Sequence, residues 1–147
     1  MERILYGVLE QAHKDKMRGK KPKIPLWMTP SQVRLLPIDE GMIDYCLELG
    51  AELDKFGVRY EIDDRPLTVG KKVRAAEKLW IPYICVVGEK EKDSGELSVR
   101  RREEGDQASM SIQELGELIH EKTSFAPKQR LLLPSLVSKQ PIFSREV

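Results

Sequence analysis

The sequence predicts an α/β fold in which helices cover a mixed five-stranded sheet of three parallel strands and two antiparallel additions. Three observations support this prediction. Strand-like and helix-like segments alternate in the first part of the chain, as successive β-α-β units do. The segment YICVV is apolar on both faces, which is typical of a central parallel strand. The later segment ELSVRRR alternates apolar and polar residues, which indicates a half-exposed antiparallel strand.

The first elements follow from hydrophobic periodicity and from turn residues. Residues 1–16 carry an apolar stripe at helical spacing, and SQVRLLPI, residues 31–38, is a short apolar strand. A second helix is predicted over residues 41–56, because its apolar stripe stops at Gly57, a residue type that often follows a helix C-terminus. VRYEI, residues 58–62, is the second strand.

The later elements have clearer boundary signals. A third helix is predicted over residues 69–80, with Thr68 as its N-cap, and YICVV, residues 83–87, follows as the third strand. QASMS, residues 107–111, is a weaker fifth strand. Its last serine stands three residues before a glutamate, which is the spacing of a capping box, so a last helix is predicted over 112–122.

The composition indicates a single domain, since the chain has 147 residues and 40% of them are hydrophobic. The formal net charge is only +1, so any basic surface must be local. Cys46 and Cys85 lie inside apolar segments without metal-ligand spacing, which argues against a disulfide framework and for a reducing compartment. No apolar run approaches the roughly 18 residues of a membrane helix and no secretory leader is visible, so we expect a cytoplasmic protein.

Two segments differ in composition from the rest. KDKMRGKKPK, residues 14–23, holds six basic residues and one acidic residue with a glycine and a proline, which is typical of a linker. It is either a solvated hinge or a phosphate contact, and the sequence favours neither. The tail contains three prolines and an apolar patch, so we expect it to pack on the domain. The predicted division is therefore 1–24 (helix and linker), 25–122 (domain) and 123–147 (C-terminal extension).

No catalytic or metal-binding constellation is predicted. Asp63 and Asp64 are adjacent and point apart in an extended loop, which is poor geometry for paired acid–base work, so a turn and helix-start role is favoured. His13 and His120 have no cysteine or second histidine at ligand spacing. Both histidines are therefore interpreted as surface residues.

A polar surface, here named the ledge, is predicted at one edge of the sheet. By alternation the fourth strand, ELSVRRR at 96–102, directs Ser98, Arg100 and Arg102 outward. The ledge comprises Arg100 and Arg102 of this strand, Arg65, the helical stripe of Lys71, Arg74 and Lys78, and the polar turn 89–93. Arginine pairs bidentately with guanine, and carboxylates accept hydrogen bonds from base amines and ring N–H groups. Single-stranded loop RNA, with its bases splayed, suits such a surface.

Longer stretches of the sequence resemble a known family. LWMTPSQVRLLPI, GVRYEIDDRPLTVGKKVRAAEKLWIPYICVVGEKEKDSGELSVRRR and MSIQELGELI resemble the C-terminal anticodon-binding domain of threonyl-tRNA synthetase, most of all the archaeal form. The resemblance covers about residues 25–122, and LLLPSLVSKQPIF is similar to the proline-rich extension of the archaeal enzymes. Prolyl-, histidyl- and glycyl-tRNA synthetases share the fold but less of this string.

The resemblance implies a fold, a ligand and site residues. The class II aminoacyl-tRNA synthetase anticodon-binding fold has a mixed five-stranded sheet with three helices, and in this family it reads the second and third anticodon bases, G and U. Glu91 and Arg100 match the family's anticodon-contacting glutamate and arginine. A contacting asparagine of bacterial members falls on Pro66, whose side chain cannot hydrogen-bond, so Arg65 is the candidate replacement.

The N-terminal MERILYG resembles the helix of class II motif 3, so residues 1–24 are expected to be a catalytic-domain remnant followed by a basic linker. Arg3 matches the motif arginine that binds ATP in full-length enzymes. Motifs 1 and 2 and most of motif 3 are missing, so we expect no catalytic residue, metal or cofactor in this chain. ATP, Mg and Zn are expected only in the full-length enzyme.

The expected function is recognition of the threonine tRNA anticodon, in support of tRNA threonylation by a threonine–tRNA ligase. The chain alone is expected to be inactive, and the full-length enzyme is expected to dimerise through its catalytic domain; no membrane partner is expected. One alternative is a free-standing anticodon-domain-like protein that binds other proteins, but the retained Glu91 and Arg100 argue against it. A small-ligand enzyme on a doubly wound sheet would need a glycine-rich turn after the first strand, which is lacking.

Overall fold

The computed structural model describes residues 2–142, and this range contains five strands and five α-helices. The strands are β1 (Val33–Pro37), β2 (Tyr60–Ile62), β3 (Tyr83–Val87), β4 (Glu96–Arg101) and β5 (Asp106–Ser111). The α-helices are α1 (Glu2–Met17), α2 (Ile43–Lys55), α3 (Val69–Lys78), α4 (Glu89–Ser94) and α5 (Ile112–Thr123). Single 3-10 turns span Glu40–Met42 and Val137–Lys139.

The five strands form one mixed sheet in the order β2-β1-β3-β4-β5. β1 lies parallel to both β2 and β3, with Val33 opposite Tyr60 on one side and Tyr83 on the other. β4 runs antiparallel to β3 and to β5. The predicted fold class, with three parallel strands and two antiparallel additions, is therefore confirmed.

Helices cover the two faces of the sheet unequally. One face is covered by α2 and α5, and its core includes the fully buried Leu35, Cys85, Val99 and Leu115. On the other face α3 packs over β1 and β3 around a smaller cluster that includes Leu36, Ala76, Ile81 and Ile84. On this second face the outward side chains of β4 and β5 are partly or fully exposed. The unequal cover positions the candidate site.

Helix ends show where local sequence signals hold and where they do not. The predicted capping box opens α5: Ser111 Oγ accepts a hydrogen bond from the Glu114 N–H at 3.2 Å, and Glu114 Oε2 accepts one from the Ser111 N–H at 2.8 Å. Thr68 stands at the N-cap of α3, but its side chain makes no capping bond. Trp80, predicted inside that helix, lies beyond its end with a φ of 58°, a left-handed conformation that few residues other than glycine adopt.

The last described residues lie along the outer edge of β2. The Ile62 N–H donates to the Ser135 carbonyl at 2.7 Å, and Leu136 forms a parallel bridge with Ile62. The Ser138 N–H and hydroxyl both donate to the Asp64 carboxylate, at 2.9 and 2.5 Å. These contacts occupy the edge of a strand that is otherwise unpaired on that side. We name β2 with segment 134–140 the closed edge.

At the opposite end of the chain, α1 buries Ala12 and leaves Leu5, Tyr6 and Leu9 exposed. None of the helices within residues 2–142 combines the length and apolarity needed to cross a bilayer.

Candidate nucleic-acid interface

The exposed side of β4 and β5 carries only polar outward side chains; we name it the open face. Its members are Glu96, Ser98 and Arg100 on β4 and Gln107 and Ser109 on β5. The strand register places Arg100 opposite Gln107 and Ser98 opposite Ser109, so these side chains project on one side as two neighbouring pairs. An exposed, all-polar sheet surface offers both hydrogen-bond donors and acceptors to a ligand.

Arg100 stands on the open face beside α3. Its Nη1 lies 3.3 Å from Glu77 Oε1 of that helix, and the two side chains are 49% and 39% exposed. An ion pair this exposed contributes about 0–1 kcal/mol, so a ligand can displace it at little cost. Arg100 also borders a cavity of about 240 Å³ between the end of α3 and the two strands.

Glu91 stands at the other end of the open face, on the six-residue helix α4. Its Oε2 accepts a hydrogen bond from the Gly88 N–H at 3.0 Å, which stabilises the start of the helix. Glycine has no side chain to reciprocate, so only this half of a capping box exists. Glu91 borders a depression of about 530 Å³ whose floor includes Ser98 and Ser109. The Glu91 carboxylate thus stabilises the start of α4 and also lies at the border of the open face.

The helix α3 lies beside the open face and presents the predicted cationic stripe. Lys71, Arg74 and Lys78 are all exposed, as expected from helical periodicity. Lys72 is buried instead: it is 4% exposed, and its Nζ donates to the Pro37 carbonyl at 3.0 Å. Its position four residues before the buried Ala76 is the sequence signal that would have indicated this.

Comparisons with known proteins identify the family of the chain. Residues 32–122 match the family model of the anticodon binding domain. The chain belongs to this family of anticodon-binding domains. It is 46% identical to the threonine–tRNA ligase of Pyrococcus horikoshii over 143 residues, which are 97% of this chain and 23% of that protein. It is 43% identical to the threonine–tRNA ligase of Cenarchaeum symbiosum over 141 residues, 96% of this chain and 23% of that protein.

A solved structure leads to the same family. The anticodon-binding domain described here is similar to the RNA binding domain of threonyl-tRNA synthetase from Cryptosporidium parvum Iowa II, with a TM-score of 0.62 and 26% sequence identity. The similarity covers 74% of this chain and 26% of that one. The chain thus spans about a quarter of the length of the relatives that it matches, 23% for the two named above. The resemblance inferred from the sequence is confirmed.

In this anticodon-binding domain Arg65 is held by its neighbour. Its Nε and Nη2 donate to the two carboxylate oxygens of Asp63 at 2.8 and 2.7 Å. Burial alone would raise the pKa of the Asp63 carboxyl, but the hydrogen bonds from Arg65 outweigh it and hold that pKa below its usual range. Asp64 points to the tail instead, so the two aspartates diverge and each has its own partner. An RNA contact by Arg65 stays a prediction.

Arg102 lies one residue past the end of β4 at Arg101 and is partly buried, but it lines the same cavity of about 240 Å³ as Arg100. Its Nε donates to the Pro22 carbonyl at 2.8 Å and its Nη1 to the Glu77 carbonyl at 3.1 Å, while the guanidinium lies 5.9 Å from the Trp80 ring centre. Burial lowers the pKa of Arg102. Arg102 thus holds the linker against the end of α3, and its RNA contact stays a prediction.

The remaining predicted residues lie outside the open face. Arg3 is exposed on α1 and His13 is exposed on the same helix, while His120 Nδ1 lies 3.1 Å from the Phe56 carbonyl oxygen. Over the part of the chain that the structure describes, no group of three or more histidine, cysteine or acidic side chains is arranged to hold a metal ion. Gln107 and Ser109 were not predicted as site residues, because the pattern of the fifth strand is weak.

Proposed function

We propose that the chain is the part of a threonyl-tRNA synthetase that recognises the anticodon of threonine tRNA. The observation that carries this proposal is the open face, where Arg100 and Glu91 border two depressions within the segment that matches the family model. Identities above 40% to threonine–tRNA ligases support threonine as the amino acid of this tRNA. They also favour this function over a free-standing protein-interaction module.

The two neighbouring surfaces suit different parts of the RNA. Lys71, Arg74 and Lys78 of α3 are solvent-exposed cations, which position an RNA backbone through its phosphates without reading its sequence. The open face includes the carboxylate of Glu96 and is bordered by that of Glu91, and both repel phosphate. Carboxylates accept from base amines and ring N–H groups, so this surface suits base edges. A single-stranded loop with splayed bases can place its phosphates on α3 and its base edges on the open face at the same time.

Threonylation itself belongs to the remainder of the longer enzyme in this proposal. That remainder would supply the sites for ATP, Mg and Zn and the contacts of a homodimer, while this chain contributes anticodon recognition. A cytoplasmic location follows from the same proposal.

The test is the binding of an anticodon stem-loop by this chain and its Arg100→Ala and Lys71→Ala variants. The unmodified chain should prefer a loop with G and U at the second and third anticodon positions over a loop with these two bases exchanged. Arg100→Ala should narrow that preference by about 1–3 kcal/mol, because a base contact carries sequence information. Lys71→Ala should weaken both RNAs alike, because a phosphate contact does not. Equal losses for both RNAs in Arg100→Ala would show a phosphate contact instead.

The salt dependence of binding provides an independent check. If the exposed cations displace counterions from about three to five phosphates, the logarithm of the binding constant should fall with the logarithm of salt concentration by about 0.7 per phosphate. Lys71→Ala should reduce this slope by the contribution of about one phosphate, roughly 0.7. A binding constant that does not change with salt would contradict the proposed RNA surface.

A further inference from the structure

Gln107 occupies the position where the two depressions of the open face meet. It lines the cavity of about 240 Å³ that Arg100 borders, and it also lines the depression of about 530 Å³ that Glu91 borders. Gln107 is exposed and lies directly opposite Arg100 in the strand register. A base bound in either depression can therefore approach the Gln107 amide.

The Gln107 amide is oriented by its neighbour on the adjacent strand. Its Nε2 donates a hydrogen bond to Ser98 Oγ. Among the described residues no donor is bonded to the amide oxygen, so Oε1 remains an acceptor for a ligand. Side chains directly opposite each other on two strands have Cβ atoms about 4.5–5.5 Å apart. The Gln107 acceptor and the Arg100 donors are thus close enough to engage one base or two stacked bases.

The choice of residues on the open face also indicates a ligand rather than strand stability. Strands are enriched in threonine, valine, isoleucine and aromatic residues, whereas Ser98, Gln107 and Ser109 do not belong to these enriched types. Serine side chains are short, so they leave a low polar floor on which a planar base fits. Glu96, which accepts a hydrogen bond from the Ser109 hydroxyl at 2.8 Å, adds negative charge that excludes phosphate from this floor.

We propose that Gln107 is a further base-reading residue of the anticodon site and that Ser98 is its positioning residue. This rests on the proposed function. A glutamine side chain carries a donor and an acceptor in one plane, so it can pair with a base edge through two hydrogen bonds. Gln107 reads the base beside Arg100, and Ser98 fixes the direction in which the amide faces.

The experiment measures binding of the anticodon stem-loop and of loops in which each anticodon base is replaced in turn. Gln107→Leu should lower the preference for the unmodified loop roughly 5- to 100-fold at one anticodon position and leave the other positions unchanged. Ser98→Ala should cause a smaller loss at the same position. Gln113→Leu, an exposed glutamine on α5 outside both depressions, is the matched control and should change nothing.

Gln107→Glu distinguishes a base-reading role of Gln107 from a role in folding, because it keeps the shape of the side chain and replaces the amide donor by an acceptor. We expect it to change which base is preferred at that position, a result that a structural role would not produce. If Gln107→Leu retains full selectivity or weakens every RNA equally, the role of Gln107 is wrong and the proposed function stands. If the unmodified chain shows no base preference, the proposed function fails and the role of Gln107 fails with it.

Discussion

Two arginine–glutamate pairs on the same face of the sheet have opposite surroundings. Glu61 lies on β2 in the closed edge and pairs with Arg34 on the neighbouring strand β1. Arg34 Nη2 is 2.5 Å from Glu61 Oε1, and the two side chains are only 2% and 5% exposed. Arg100 and Glu77 lie at the open face, 3.3 Å apart and 49% and 39% exposed. The residue types are the same, so the two pairs differ in burial. Water cannot reach the buried pair, whereas a ligand can displace the exposed one.

The tail accounts for part of this difference. Gln140 Nε2 donates to Glu61 Oε2 at 3.0 Å, so the segment that lies along β2 also satisfies the second oxygen of the buried carboxylate. α3 covers the neighbouring strands from above, whereas it leaves the outward side chains of β4 and β5 exposed. The buried pair therefore stabilises the fold, whereas the exposed pair is accessible to a ligand.

The largest effect is expected from the buried pair. Glu61→Ala leaves the Arg34 guanidinium buried without its counter-charge, so the free energy of unfolding should fall by about 3–5 kcal/mol. Glu77→Ala is the matched control and should cost about 0–1 kcal/mol, because its pair is exposed. Denaturant unfolding of the three proteins measures both values. Similar losses for the two variants would remove the distinction between the closed edge and the open face.

An acid-dependent effect is expected next, from Asp63 beside the closed edge. Its folded pKa is held below its ordinary value of 3.8, so ionised Asp63 stabilises the fold above that pH, and the stabilisation is lost as the pH falls through the folded pKa. Asp63→Asn should cost about 1.5–3 kcal/mol at neutral pH, the range for hydrogen bonds to a charged group. The loss should shrink in acid. A loss that is independent of pH would contradict the assigned interaction with Arg65.

The smallest of the three effects concerns the tail. Asp64→Ala removes the acceptor for the Ser138 N–H and hydroxyl, and should cost about 0.5–1.5 kcal/mol. The Ile62 amide, which donates to Ser135, should then exchange its hydrogen faster, because the tail opens more often. Asp44→Ala, at an exposed position on α2, should leave that exchange rate unchanged. Equal exchange in all three proteins would mean that Asp64 does not hold the tail.

Periodicity predicted most of the fold, and the element that it missed shows why. Residues 89–93 were interpreted as a polar turn, whereas the structure has the helix α4 at Glu89–Ser94. None of its residues is buried, so the sequence carries no apolar stripe there. At the start of this helix the Gly88 N–H donates a hydrogen bond to the Glu91 carboxylate. The helix ends at Gly95, whose φ is 71°. A helix without a buried face has no periodic signal to detect.

The site was predictable only as far as single elements determine exposure. Alternation along β4 correctly directed Arg100 outward, because its strand is regular at that point. The hydrogen bond from Arg102 to the Pro22 carbonyl, 80 residues away, was not predictable, since it depends on tertiary contacts. Gln107 was missed because the pattern of the fifth strand is weak and because its position opposite Arg100, on which its proposed role rests, is revealed only by the register of two strands.

The most direct test of the account is a titration of the isotopically labelled chain with the anticodon stem-loop, followed through its backbone amide NMR signals. We predict the largest shifts for residues 96–100 and 107–109 of the open face and for residues 71–78 of α3. Residues 60–62 and 135–139 of the closed edge should keep their signals unchanged. Shifts concentrated at the closed edge, with the open face unaffected, would contradict the claim that β4 and β5 present the RNA-reading surface.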